Sequence, residues 1–497
     1  MFEKEIAFFN QNYTDQTTMS NRPTTERVFQ IFRELNRTPR PSHHEGRVAD
    51  YLCQFAERLH LEYERDDENC VVIRKPATPG HEGAEPVVLL NHMDMVCVGM
   101  NDALHDTVET YVDGGWMKAR ATSLGADNGI GLSMALAVLE SQDVVHGPLE
   151  VVTTTNEEDG MTGAANLSSD FVRGRRVINL DSEDYDTVTT AAAGATLQLH
   201  RIPLQRSAAP GGKRRWYRIR LEGGLGGHSG VDINKGRCSA VVPAWGVLAA
   251  IYNEYDFDVA SIDIGEANAS IASRAEVVLT IPSGAGAEMV KAQQELMNQW
   301  LREEYPDDAG MTCTIEKCEA PATVISRTAF EALMTVLEQI PQGVVKMSST
   351  MKDTVETSNN VGRVVTEEDH ILVSTHTRSF SDTEMERLSS DIARVFRENG
   401  ASTEVVMKAP AWQEDRHSDF LKLTSDTFQK VLGWRPRMVA MHFVLEAGFF
   451  VQKYPGMQIA CIGPRIVEPH STSERLELKT VDDIWQVLLE MLSALAK

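Results

Sequence analysis

The chain has 497 residues, too many for one ordinary hydrophobic core, so two or more folding units are expected. Its 72 acidic against 48 basic side chains give a formal net charge of −24, which argues against nucleic acid and anionic membranes as partners because no Lys and Arg surplus is left to meet phosphates. No apolar run reaches membrane-spanning length, the N-terminal stretch MFEKEIAFFNQNYTDQTTMS is not a secretory signal, and the seven cysteines are scattered and odd in number, which together read as a cytoplasmic protein with reduced thiols.

In chain order, residues 24–60 read as helical, with Val28, Ile31, Phe32 and Leu35 at helical spacing and the turn-rich RTPRPSHHEG before a second helix. Val87–Leu90 is a continuous apolar run, as in a strand buried on both faces. Leu132, Leu136 and Leu139 mark a helix after Gly131, and Leu149–Thr153 and Val177–Leu180 are further strands. Strands alternating with helices predict an α/β layer fold with a mixed, largely parallel sheet flanked by helices. The pattern changes near residue 195. SAAPGGKRR is a polar connection, the strand Trp216–Leu221 alternates as if one face were solvated, and helical blocks follow at 235–253, 326–340 and 382–399. α/β character returns near 405, with a strand at Met457–Ile462 and a closing amphipathic helix at 480–496. The expected organisation is a catalytic domain (1–195 and 405–497) interrupted by an α+β domain at 196–404.

Five short segments carry chemistry. NHMDMV supplies His92 and Asp94, GADNG supplies Asp127, TTTNEEDG supplies Glu157 and Glu158, NLDSED supplies Asp181, and PRIVEPHS supplies His470. Each lies at the carboxyl end of a predicted strand or in a loop before a helix, where open α/β sheets bind ligands. Singly, none is specific: Asp127 could cap the following helix, the Glu-Glu-Asp run could be a solvated loop, and His470 could be a surface histidine. Together they match the needs of a two-metal hydrolytic centre, which takes imidazole and carboxylate ligands, one carboxylate shared between the ions, and a further acid as base. His92 and Asp181 would serve one ion, Glu158 and His470 the other, with Asp127 between them. Glu157 would take the proton of the attacking water, and Asp94 would orient His92 from behind.

NHMDMV, SLGADNGIG, TTNEEDGMTGA, NLDSED and GPRIVEPHSTSERL resemble the metal-site motifs of the zinc aminopeptidase, carboxypeptidase and aminoacylase superfamily, with aminoacyl-histidine dipeptidases (Xaa-His dipeptidases, bacterial carnosinases) the most similar. The resemblance covers nearly the whole chain. It implies two zinc ions per chain (manganese or cobalt as possible substitutes), a small peptide substrate, a catalytic domain split by an inserted lid, and a homodimer formed through that lid. It also implies that Asp94 and Glu157 are catalytic, and that His228 in GGLGGHSGVDI stabilises the oxyanion, in its own or a neighbouring site. Arg378 in STHTRSFSD would bind the substrate carboxylate; the other reading is a surface arginine at a strand end. Asn268 in NASIASRAE, which lacks the family's proline, and His442 and Glu446 in HFVLEAG, where Val444 and Ala447 depart from the pattern, would line the substrate pocket. The rival readings are an N-acyl amino acid hydrolase or tripeptidase with the same site, and a non-catalytic zinc-dependent binding protein. GGLGG lacks dinucleotide-binding spacing, Cys313 and Cys318 make no zinc ribbon, and the Asn12–Thr14 sequon carries no meaning in a cytoplasmic chain.

Overall fold

The computed structural model describes residues 24–497 apart from 213, 283–285, 414 and 416, so the readings made on the first twenty residues and on Asn12–Thr14 lie outside the described residues. The chain divides into two compact units, Met1–Val188 with Ser418–Arg437 and Met457–Lys497, and Thr189–His417 with Met438–Gly456.

The first unit is built on a sheet whose central strands, Leu149–Thr154, Val87–His92, Arg176–Asn179 and Gln458–Cys461, run parallel. Both Val87–His92 and Leu149–Thr154 are buried along their whole length, which is why they read as apolar runs and not as alternations. An antiparallel hairpin, Glu62–Arg65 with Val71–Lys75, extends the sheet beside Leu149–Thr154. The helix Ala126–Glu140 is buried on nearly every side, from Ile130 through Leu139, as expected of a helix covered by others. Helix Glu26–Leu35 packs against it, and helix Asp419–Leu432 packs against Leu478–Leu495. A small sheet closes the unit, in which the hairpin Ile466–Val467 and Arg475–Glu477 pairs with Trp116–Ala119. His470 lies at the tip of that hairpin.

The second unit carries a nine-stranded sheet in which Gly194–Pro203, His370–Ser379, Val355–Thr366, Asp258–Ile264, Ala275–Pro282 and Arg214–Glu222 are antiparallel neighbours. Helices Val241–Glu254, Gly286–Glu304, Arg327–Gln339 and Asp382–Glu398 belong to it. Its core includes Phe257 and Phe330, whose rings meet edge to face at 5.2 Å between centroids. Two differences from the sequence reading concern where the chain leaves this unit. The strand Ser402–Ala409 pairs with Gly194–Pro203, so the second unit continues to His417 and does not end at 404. The chain then enters it again at Met438–Gly456, taking HFVLEAG and its His442 and Glu446 out of the first unit. Short-range patterning could not show this, because Ser402–Ala409 pairs with Gly194–Pro203 and His442 bonds to Ser358, 84 residues away.

Candidate metal centre and a candidate anion site

In the first unit, the strands' carboxyl ends bring five sequence-predicted residues together. His92 is the last residue of its strand and is 1% exposed. Its Nδ1–H donates to the backbone carbonyl of Asp94 at 3.1 Å, which turns Nε2 outward toward Asp127 and Asp181. Nε2 lies 3.1 Å from Asp127 Oδ1 and 3.3 Å from Asp181 Oδ1. The other oxygen of Asp127, Oδ2, lies 3.1 Å from His470 Nε2, and that same nitrogen is 2.9 Å from Glu158 Oε2. One carboxylate thus spans two imidazoles, with a second carboxylate beside each. Ligand atoms of His92, Asp127 and Glu158 all lie within 4.8 Å of one another.

Asp94, fully buried, sits behind this group. One of its oxygens is 3.4 Å from His92 Nδ1. The carboxylate also accepts from the backbone N–H of Glu157 at 3.1 Å, from that of Glu158 at 3.2 Å, and from the Ser42 hydroxyl at 2.8 Å. It therefore holds the loop bearing Glu157 and Glu158 as well as the imidazole. Ser42 belongs to RTPRPSHHEG, which sequence reading had treated only as a turn.

The electrostatics ask for a cation. Burial drives the Asp181 carboxyl up to about 6, with Asp127 and Glu158 adding like charge against the opposing pull of His92. Burial also raises Glu183 to about 8, with Asp127 and Asp181 adding to it. Among the described residues, Glu158 Oε1 is buried without a hydrogen-bond partner, and Asp181 Oδ1 makes no hydrogen bond beyond its 3.3 Å approach to His92 Nε2. Buried carboxylate oxygens left in this state are costly unless they meet a positive charge. Imidazole and carboxylate together form the donor set of a borderline divalent ion, so the residues fit a metal.

The second unit assembles a cluster of opposite sign. Arg378 is 3% exposed and its guanidinium is 3.4 Å from His228 Nε2, 3.3 Å from Ser229 Oγ and 3.5 Å from His376 Nδ1, with no carboxylate among these contacts. It is no surface arginine, and burial lowers its pKa to about 10. His228 Nδ1 accepts the backbone N–H groups of Gly230 at 3.2 Å and Val231 at 3.1 Å, so its proton sits on Nε2 and the 3.4 Å approach of the Arg378 guanidinium to that atom is a contact between two donors, not a hydrogen bond. Desolvation first and the Arg378 charge second lower the His228 pKa, although much of its ring is exposed. His442, on the adjoining segment, bonds through Nε2 to Ser358 Oγ at 2.8 Å, and Ser358 is the cross-strand partner of Arg378.

His376 was missed in the sequence. It stands two residues before Arg378 on the strand His370–Ser379, and this spacing places both on one face. Because the guanidinium can only donate, His376 Nδ1 must accept, and its Nε2 carries the proton; that atom is buried and without a hydrogen-bond partner. Asn268 lies in the loop whose Ser270 pairs with His228, and its side-chain oxygen is buried and unbonded. Glu446 is buried at the start of the short helix Ala447–Lys453. The cluster is one buried cation ringed by neutral donors, an arrangement suited to a carboxylate or another small anion.

Comparison with known proteins agrees with this geometry. Residues 88–494 match the family described as peptidase family M20/M25/M40. The chain is 35% identical to the cytosol non-specific dipeptidase of Escherichia coli (strain K12) over 477 residues, covering 94% of this chain and 96% of that one. The crystal structure of aminoacylhistidine dipeptidase from Vibrio alginolyticus superposes with a TM-score of 0.86 at 32% identity, covering 98% of this chain and 99% of that one. Aminopeptidase PepT from Bacillus cereus shares the fold at a TM-score of 0.60 and 17% identity, covering 95% and 99% of the two chains. With the motifs in order and their side chains converged at the strand ends, the chain belongs to peptidase family M20/M25/M40, a family of metal-dependent hydrolases.

Proposed function

We propose that this chain hydrolyses dipeptides, with Xaa-His among its substrates, at a centre of two zinc ions. The observation that carries the reading is the Asp127 carboxylate, each of whose oxygens faces its own imidazole, with Asp181 beside His92 and Glu158 beside His470. In this reading these five residues are the ligands and Asp127 is shared; manganese or cobalt would suit the same donors. Bound there, the ions would polarise the scissile carbonyl and make water a nucleophile near neutral pH. Glu157 takes the proton of the attacking water and delivers it to the leaving amine. Asp94 keeps His92 in the tautomer that offers Nε2, and its grip on the Glu157 amide holds the base in place.

For the second unit we propose recognition of the substrate's free carboxylate. Arg378 supplies the charge, while Nε2–H of His228 and of His376 are available as neutral donors, to the carboxylate or to an oxyanion. His228 and Arg378 meet within one chain, which supports a receptor that needs no residue from a neighbour. Asn268, His442 and Glu446 would shape the rest of the pocket, and the unit would act as a lid. We also infer a homodimer through this unit, supported by exposed Val405 and Val406 on its edge strand. A cytoplasmic location is supported by the absence of any disulfide among the described cysteines and by the name of the Escherichia coli relative. Among the described residues no helix is long and apolar enough to cross a membrane.

The test is metal content and carnosine hydrolysis on one purified sample, before and after chelation. About two zinc per chain, with turnover lost on chelation and restored by metal, is the expected result. Metal without turnover of carnosine, other dipeptides, tripeptides or N-acetyl amino acids would sink the peptidase assignment. Preference within that panel separates the Xaa-His reading from the tripeptidase and N-acyl hydrolase readings.

A further inference from the structure

Arg40 and Glu474 are buried ionisable residues outside the ligand set, and both bind the backbone of the same loops. The Arg40 side chain is 1% exposed. Its Nη1 donates to the carbonyls of Met93 and Asp94, both at 3.1 Å, and Nη2 donates to the carbonyl of Gly125 at 2.7 Å. Glu474, 3% exposed, works from the opposite polarity. Its carboxylate accepts the backbone N–H of Leu124 at 2.7 Å, Gly125 at 3.0 Å and Ala126 at 2.8 Å. The loop entering Asp127 is therefore held through a carbonyl by a cation and through three consecutive amides by an anion.

Glycines make the approach possible. A Cβ on Gly125 would come within 2.7 Å of Arg40 Nη2, and one on Gly129 within 2.5 Å. Gly125 also has a φ of +67°, which side chains rarely adopt. The glycines flanking Asp127 in GADNG thus make room for the guanidinium as well as for the turn.

We propose that Arg40 and Glu474 are positioning residues of the metal centre, clamping the loop of the bridging Asp127 to the loop of His92 and Asp94. The inference rests on the metal reading above. Buried partners one layer behind metal ligands commonly contribute 10- to 100-fold in metal affinity, because a ligand loop that must be ordered on binding loses that ordering free energy from the affinity.

The experiment measures zinc ion affinity of the full-length protein by competition with a chelating dye, for wild type, Arg40→Lys, Glu474→Gln and the milder Glu474→Asp. Glu150→Gln serves as control. Glu150 is equally buried in the same unit, bonded to Arg74 at 3.0 Å and to the amides of Arg173 and Gly174, but it touches neither loop. Thermal melting with excess chelator reports the fold separately from the metal. The expected result is zinc binding weakened about 10- to 100-fold in the Arg40 and Glu474 variants, with Glu150→Gln destabilised but binding zinc as wild type does. Wild-type zinc affinity in both Arg40→Lys and Glu474→Asp would overturn the clamp and leave the metal centre standing, as would equal weakening by Glu150→Gln. A wild-type protein that takes up no zinc would overturn the metal reading, and this inference with it.

Discussion

The cluster around Asp127 in the first unit and the cluster around Arg378 in the second both draw on histidine, yet they push its pKa in opposite directions. His470 is driven up to about 11 by its hydrogen bonds to Asp127 and Glu158, and His92 is raised against its own burial by Asp181, Asp127 and Asp94. His376 is pushed well below the ordinary value by burial and then by Arg378, and His442 is lowered to about 3 for the same two reasons in the same order. Burial opposes charge on all four. In the second unit burial prevails and the guanidinium adds to it, whereas in the first the facing carboxylates overcome it. Side-chain type therefore says little about role until the facing charge is known. One centre is short of positive charge and the other of negative charge, which is what the proposed hydrolysis would use: a cation for the carbonyl, and a counter-charge for the free carboxylate.

The contrast is broken most completely by removing the shared carboxylate. Asp127→Asn keeps the shape of the side chain but deprives both imidazoles of the charge between them, and the expected result is loss of bound zinc together with loss of detectable dipeptide hydrolysis. Metal analysis alongside a turnover assay checks it; a variant with two zinc ions and full activity would show that Asp127 is not shared. Glu157→Gln should separate chemistry from metal binding. Its expected effect is a fall in kcat of about 10²- to 10⁴-fold, the usual contribution of a general base, with zinc content unchanged.

The second unit's cluster should respond through substrate binding and not through metal. Arg378→Met removes the buried cation, and charge-assisted hydrogen bonds of about 1.5–3 kcal/mol correspond to roughly a 10- to 150-fold loss in kcat/KM. Blocking the substrate's C-terminal carboxylate as an amide should cost wild type a similar factor and cost the variant little more. If the blocked substrate is hydrolysed as well as the free one by wild type, Arg378 does not read the carboxylate.

The same two clusters differ in how far they could be read from the sequence. The five residues proposed as ligands were legible as short motifs, with His92, Glu158 and Asp181 at or just beyond the ends of apolar strands, where an α/β sheet gathers polar groups, Asp127 at the start of a helix and His470 in a loop. His228 and Arg378 carried no such mark, and only their likeness to a family singled them out. His376 was passed over although it shares a strand face with Arg378, because its meaning depends on a buried guanidinium that spacing does not reveal. Arg40 and Glu474 were invisible for a different reason. Arg40 lies 85 residues from Gly125, and Glu474 lies 350 residues from Leu124. Their partners are backbone atoms, which leave no trace in side-chain patterning. The central sheet and its helices followed from local periodicity, whereas the segment Met438–Gly456 is assigned to the second unit by tertiary contacts alone.

The mildest test asks whether neutral histidine in the second unit is a matter of the fold or only of the Arg378 site. His200 supplies it, since it lies in the same sheet and outside that cluster. It is fully buried, bonded through Nδ1 to Thr403 and through Nε2 to Thr375, each at 2.9 Å, and stacked on Phe396 at 3.7 Å between ring centroids. Burial first, then the nearby Arg397, lowers its pKa to about 3. The folded value lies below the unfolded one, so below the ordinary histidine pKa the unfolded chain binds the extra proton. Stability from this group is thus complete above about pH 6.5 and declines as pH falls toward 3. At 1.36 kcal/mol per pH unit, the loss by pH 5 is about 2 kcal/mol. His200→Gln removes the titration while keeping a polar group between the two threonines. Urea midpoints at pH 7 and pH 5 should draw together in the variant relative to wild type. An unchanged gap between those midpoints would mean that His200 is not held neutral by its packing.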